Sequence, residues 1–196
     1  NEGVKILYGR DYYNEEILEL KFKVNTFSFF QTNIKAVERL YSEALALIPD
    51  PDAKIVYDLY CGTGTISQLM ASKAKKVYGI EIVQDSIDAA IDNAKMNGID
   101  NCHFICGDVK AKLDEVTEKP DMIVVDPPRM GMHDKVVEML ASYGIEQILY
   151  ISCNPNTMAM NLEKFAELGY KPRVIKAYDN FAKTKHVECI ALIQRV

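Results

Sequence analysis

The chain has 196 residues, 48% of them hydrophobic and 26% charged, with only 10 glycines and 7 prolines. A chain of this length and composition can bury roughly 70% of its unfolded surface without disulfide or metal, which excludes disordered, collagen-like and low-complexity classes. Its formal net charge of −5 argues against a domain that grips nucleic acid alone, because phosphate neutralisation supplies most of that affinity.

Residues 1 to 25 alternate apolar and polar in Val4–Gly9 and again in Ile17–Val24, which predicts a β-hairpin with Arg10–Glu16 between the strands. From Asn33 the period changes, and Ile34, Val37, Leu40, Tyr41, Ala44, Leu45 and Ile48 fall at helical spacing until Pro49 and Pro51 stop the run. Strands and helices then alternate. Strands are predicted at 55–60, 77–81, 102–108, 122–126 and 147–152. Helices are predicted at 65–73, at 85–97 ended by Gly98, after Asp108, near 133–142, and from about 156 to 168 ended by Gly169. Two last strands, near 172–178 and 186–194, are joined by a turn around Asn180 too short for a crossover helix, so they should pair antiparallel. The pattern predicts an α/β fold, mainly a parallel sheet with helices on both faces.

No apolar run approaches the roughly 18 residues of a membrane span, and the N-terminus lacks a signal-peptide core. The five cysteines (Cys61, Cys102, Cys106, Cys153 and Cys189) are odd in number and form no Cys-x-x-Cys pair. A soluble protein of the reducing cytoplasm is expected, without a disulfide framework or zinc ribbon. The first residue is Asn1, and a fragment of a longer protein is expected.

Ligands of an open parallel sheet bind beyond the carboxyl ends of its strands. There the sequence places Asp58-Leu59-Tyr60-Cys61-Gly62-Thr63-Gly64-Thr65, then Glu81, then Gly107-Asp108. Gly62 and Gly64 allow a tight turn and close backbone approach, but Ser67 stands where a dinucleotide fingerprint has its third glycine. A glycine turn with two carboxylates and no clear phosphate cradle suits a nucleoside without phosphates, such as S-adenosylmethionine, with Glu81 taking the ribose hydroxyls. The alternative is a plain turn with two solvated caps.

Asp126-Pro127-Pro128-Arg129 follows the fourth strand of this series, and the prolines stiffen the loop that carries the carboxylate and the guanidinium. Ser152-Cys153-Asn154-Pro155 follows the fifth, a setting before a helix N-terminus where a thiol's pKa can be lowered. On a strand, His186 and Glu188 would share a face, so either could act as general base. Taken singly, these three features also fit a strand stop, an inert buried cysteine and a solvated edge pair.

Together the pieces resemble the RNA (uracil-5-)-methyltransferase family. They run in order as Ser28-Phe29-Phe30-Gln31-Thr32-Asn33, Asp58 to Gly64, Gly79-Ile80-Glu81, Asp126 to Arg129, Ser152 to Pro155 with Thr157, and His186-Val187-Glu188. The resemblance implies a Rossmann-like methyltransferase fold with a seven-stranded sheet and an antiparallel last strand. It implies that Cys153 is the nucleophile adding to uracil C6, that Glu188 removes the C5 proton, and that Asp126 sits beside cofactor and base. Arg129 would hold the loop or the enolate oxygen. Gln31, Tyr60, Gly62, Gly64, Thr65, Glu81, Asp108 and Asp126 would bind S-adenosylmethionine, with S-adenosylhomocysteine as product; relatives often carry Asn at the position of Thr65.

Members of that family carry further N-terminal RNA-binding regions, some with an iron–sulfur cluster. Neither the regions nor the cluster's cysteine spacing is found in this sequence, and no metal is expected. Residues 1–30 are therefore expected to be the hairpin end of a missing portion, and 31–196 the methyltransferase domain. The substrate would be transfer or ribosomal RNA held mainly by the missing regions, with little activity in these residues alone. Two other readings stand beside this one. An amino-group methyltransferase would use Asp-Pro-Pro with an aromatic where Arg129 stands, and a non-catalytic module would bind S-adenosylmethionine or RNA without turnover.

Overall fold

The computed structural model describes residues 5, 7–26, 28–48 and 54–196. Two antiparallel strands, β1 (Tyr12–Ile17) and β2 (Leu20–Asn25), meet at Leu18 and Glu19, whose φ values of 48° and 69° suit a two-residue hairpin turn. The expected hairpin is present, but its first strand is Tyr-Tyr-Asn-Glu-Glu-Ile rather than Val4–Gly9. Val4 and Ile6 lie outside the described residues, and Leu7 and Tyr8 are exposed. The inward positions Ile17, Phe22 and Val24, all buried, decide the register.

Asn33 caps α1 (Ile34–Ala46), its side-chain oxygen accepting from Ala36 N at 3.3 Å, and Val37, Leu40, Tyr41 and Ala44 turn inward at helical spacing. The helix ends before Pro49 and Pro51, which fall outside the described residues. Then follow β3 (Ile55–Leu59), α2 (Thr65–Ala71), β4 (Lys76–Glu81), α3 (Gln84–Met96), β5 (Cys102–Cys106), α4 (Val109–Leu113) and β6 (Met122–Val125). The chain closes with α5 (Asp134–Ser142), β7 (Gln147–Ser152), α6 (Pro155–Glu167), β8 (Tyr170–Tyr178) and β9 (Glu188–Arg195). The sheet order is β5-β4-β3-β6-β7-β9-β8. Strands β5 to β7 run parallel, and β9 inserts antiparallel between β7 and β8.

The central strands are apolar on both sides because both sheet faces are covered. Val124, Leu149, Ile151, Ile190 and Leu192 point into a cluster with α1, α2 and the hairpin. Their neighbours Ile123, Val125, Ile148, Tyr150, Ala191 and Ile193 point into a second cluster with α5 and α6. The hairpin shares the first of these cores. It is also tied to α3, where Asn93 and Asn97 accept from Lys23 N at 2.8 Å and Lys21 N at 2.9 Å and so satisfy the open edge of β2. Among the described residues no helix is long and apolar enough to cross a membrane.

Candidate active site

Every parallel strand from β3 to β7 ends on the same side, and the antiparallel β9 begins there. Register places the groups. Leu59 pairs with Ile80 and with Val125, so the turn after β3 lies between Glu81 and Asp126. Ser152 pairs with Cys189, so one step further out Cys153 stands across from Glu188.

The turn after β3 is bent by Tyr60 (φ 65°) and Gly64 (φ 76°), the latter serving as N-cap of α2. A Cβ on Gly64 would lie 2.8 Å from the Phe104 ring and 2.9 Å from Ala90 Cβ, so strand β5 and helix α3 close on this turn as only glycine permits. Glu81 holds the turn from the other side. Its Oε2 accepts from Gly62 N at 3.2 Å and its Oε1 from Val83 N at 3.0 Å, leaving each oxygen a further lone pair. Asp108 caps α4, accepting from Ala111 N at 3.2 Å, and lies close enough to Tyr60 to raise that phenol's pKa after burial. Thr65 opens α2 beside them.

The centre of the site is acidic. Asp58 is wholly buried; one carboxylate oxygen accepts from Ser67 Oγ at 2.6 Å, and the other has no partner. Burial, reinforced by Glu81, pushes its pKa up to about 7. Asp126 is pushed up to about 8 by burial, Glu188 and Asp58, with no group acting in the other direction. Burial also raises Glu188, against the pull of Arg129. Carboxylates gathered with little solvent and no opposite charge on Asp58 or Asp126 favour a cation. The Tyr41 hydroxyl of α1 stands among Asp126, Asp58 and Glu188, next to the Gln31 side chain.

Cys153 is half-buried and free. The lowered thiol pKa expected from its place before α6 is not found. Burial, Glu188 and Asp126 raise it and outweigh the Cys153 backbone amide and Arg129, which lower it. His186 also departs from expectation. Strand β9 starts at Glu188, so His186 sits in the preceding loop, with Nδ1 2.9 Å from Arg129 Nη2. Glu188 alone of the two is a strand residue.

The loop after β6 is rigid for more reasons than its prolines. Arg129 O accepts from Asn154 Nδ2 at 2.9 Å and from Thr157 Oγ1 at 3.2 Å. Asn161 of α6 then takes both main-chain groups of Met132, at 2.9 and 2.8 Å, and accepts from Tyr150 OH at 2.8 Å. The structure thus gathers Asp126, Cys153, Glu188 and Gln31 around the ends of β6, β7 and β9, and Tyr60, Gly62, Gly64, Thr65, Glu81 and Asp108 along the ends of β3, β4 and β5 beside them. Sequence reasoning missed Tyr41, which reads only as a core position of α1, and Asn161, whose signal is merely a polar residue on the buried stripe of α6.

This sheet order, with its glycine turn and strand-end carboxylates, is that of Rossmann-like methyltransferases. M. jannaschii TYW2, solved in complex with AdoMet, has the same fold, with a TM-score of 0.68 over 98% of this chain and 90% of that one, at 18% identity. The model of the tRNA (uracil-5-)-methyltransferase family matches residues 1–118 and 110–196, and the chain belongs to that family. An uncharacterized RNA methyltransferase of Caldanaerobacter subterraneus subsp. tengcongensis is 48% identical over 99% of this chain and 43% of its own length. One from Clostridium acetobutylicum is 48% identical over 99% and 42%. The Pyrococcus abyssi tRNA (uracil-54, C5)-methyltransferase, solved with S-adenosyl-L-homocysteine, is 30% identical with a TM-score of 0.80, over 95% of this chain and 45% of that one. The chain thus spans less than half the length of the curated relatives it matches.

Proposed function

We propose that this chain is the catalytic part of an enzyme that methylates C5 of a uridine in RNA, with S-adenosylmethionine as methyl donor. What supports the cofactor is the unpaired acidity of Asp58 and Asp126 beside a glycine turn and the carboxylates Glu81 and Asp108. When bound, S-adenosylmethionine supplies a methyl group made electrophilic by its positive sulfur. Glu81 would take the ribose hydroxyls on its free lone pairs, and Tyr60, Gly62, Gly64, Thr65 and Asp108 would line the nucleoside. Gln31 and Asp126 would meet the charged end.

The observation that carries the chemistry is Cys153 opposite Glu188, with Glu188 and Asp126 both acting on the thiol. Uracil C5 is a poor nucleophile. As its thiolate, Cys153 adds to C6, forming an S–C6 bond and pushing charge onto the C4 oxygen, so that C5 becomes nucleophilic. C5 takes the methyl group, and the sulfur–methyl bond breaks. Glu188 removes the C5 proton, the C5=C6 double bond re-forms, and Cys153 leaves as thiolate. The raised thiol keeps Cys153 quiet until cationic charge offsets Asp126 and Glu188.

The net charge of −5 and the coverage of under half of the curated relatives and of the Pyrococcus abyssi enzyme support a further part of this reading. Residues 31–196 form the catalytic unit, and much of the grip on transfer or ribosomal RNA comes from outside these 196 residues. Calorimetric titration with S-adenosylhomocysteine tests the cofactor site. Wild type binds, and Glu81→Ala weakens binding by about 1 kcal/mol or more through lost charged hydrogen bonds. Absence of binding by both this chain and the full-length protein would contradict the reading.

A further inference from the structure

Arg129 acts on both proposed reacting groups: it draws the Cys153 thiol and the Glu188 carboxyl down against burial. Its main chain follows two prolines, and its carbonyl is clamped by Asn154 and Thr157. The exposed guanidinium is held from another loop, by His186 Nδ1 at 2.9 Å. A guanidinium can only donate, so in this contact Nδ1 is the acceptor. His186 is held in turn. Its backbone amide donates to Thr184 Oγ1 at 3.2 Å, and that hydroxyl donates to Phe181 O at 2.7 Å. This turn keeps His186 off strand β9 and aims its ring back toward the loop after β6.

We propose that His186 is a positioning residue that, braced by Thr184, holds the Arg129 guanidinium beside Cys153 and Glu188. Its role in turnover rests on the reading of Cys153 as nucleophile, but the contact can be tested without RNA or methyl donor. The charged groups acting on the thiol are Glu188 from β9 and Asp126 and Arg129 from the loop after β6; the loop of His186 itself also carries Lys183 and Lys185, both exposed. With Arg129 released, the thiolate fraction falls, by about threefold for each half unit of thiol pKa.

The experiment is site-resolved alkylation of the five cysteines by iodoacetamide at pH 7.5, read by mass spectrometry. His186→Ala should slow Cys153 about threefold or more, and His186→Asn, whose side-chain oxygen can accept in place of Nδ1, should stay within about twofold of wild type. Arg129→Gln should be slow as well, and His186→Ala should add nothing in that background. Cys106 should react at one rate throughout. An unchanged Cys153 rate in His186→Ala, no rescue by His186→Asn, an additive loss with Arg129→Gln, or a parallel change at Cys106 would each overturn the proposal. Failure of the nucleophile reading would show elsewhere, in trapping with fluorinated RNA.

Discussion

Cys153 and Glu188 face each other across the point where β7 ends and β9 begins, because the antiparallel register pairs Ser152 with Cys189. If Glu188 is the base, removing its charge stops the reaction after methylation and before release. Glu188→Gln should therefore accumulate a covalent complex with ordinary uridine-containing RNA, visible as a band resistant to denaturing electrophoresis. A Glu188→Gln enzyme that turns over at near wild-type rate would exclude this role.

The acidic centre makes stability and binding depend on pH with a definite sign. Asp58 and Asp126 hold protons in the folded protein up to about pH 7 and 8, whereas the unfolded chain releases them in the ordinary carboxylate range. Between about pH 4 and 8 the folded state binds more protons, so stability without ligand falls as pH rises through that window. Asp126→Asn should flatten this slope and stabilise the protein at pH 8 by on the order of 1 kcal/mol or more. Denaturant titrations at pH 5 and pH 8 check it. By the same linkage S-adenosylmethionine, a cation, should bind more tightly as pH rises from 6 to 8, and S-adenosylhomocysteine should gain less.

Gly62 and Gly64 both have positive φ, but only Gly64 is crowded. Alanine at Gly62 meets open space and costs about 1–2 kcal/mol of backbone strain. Alanine at Gly64 adds contacts of 2.8 and 2.9 Å with Phe104 and Ala90, so its cost should exceed that of Gly62→Ala by about 1–3 kcal/mol. Equal losses in urea denaturation would show that the turn is not closed by β5.

Asn161 predicts a graded series. Tyr150→Phe removes one partner and should cost about 1 kcal/mol. Asn161→Ala leaves Met132 N, Met132 O and Tyr150 OH without their partner and should cost roughly 2–4 kcal/mol. Thermal unfolding of the two variants ranks them, and the reverse order would break the argument.

The parallel strands are legible because segments such as Met122–Val125 have no polar face to offer solvent, and the placement of the candidate site residues at the strand ends follows from those strands. The hairpin's first strand was misplaced because its turn, Leu18-Glu19, carries none of the residues that usually signal one. The raised thiol of Cys153 depends on Glu188, 35 positions away, and on how deeply both are buried, which spacing does not reveal. His186 left the expected strand because Thr184 turns the chain locally. Tyr41 looked like core since helical period gives a residue's face, not where its hydroxyl ends.

The most direct test of the account is to incubate the full-length protein with S-adenosylmethionine and an RNA carrying 5-fluorouridine, then weigh the product by mass spectrometry. Fluorine replaces the C5 proton that the proposed base Glu188 would remove, so the wild-type enzyme should stay joined to a methylated RNA through Cys153, and Cys153→Ala should form no adduct and no 5-methyluridine on ordinary RNA. A Cys153→Ala enzyme that still methylates uridine C5, or a methyl group found on an exocyclic nitrogen, would contradict it.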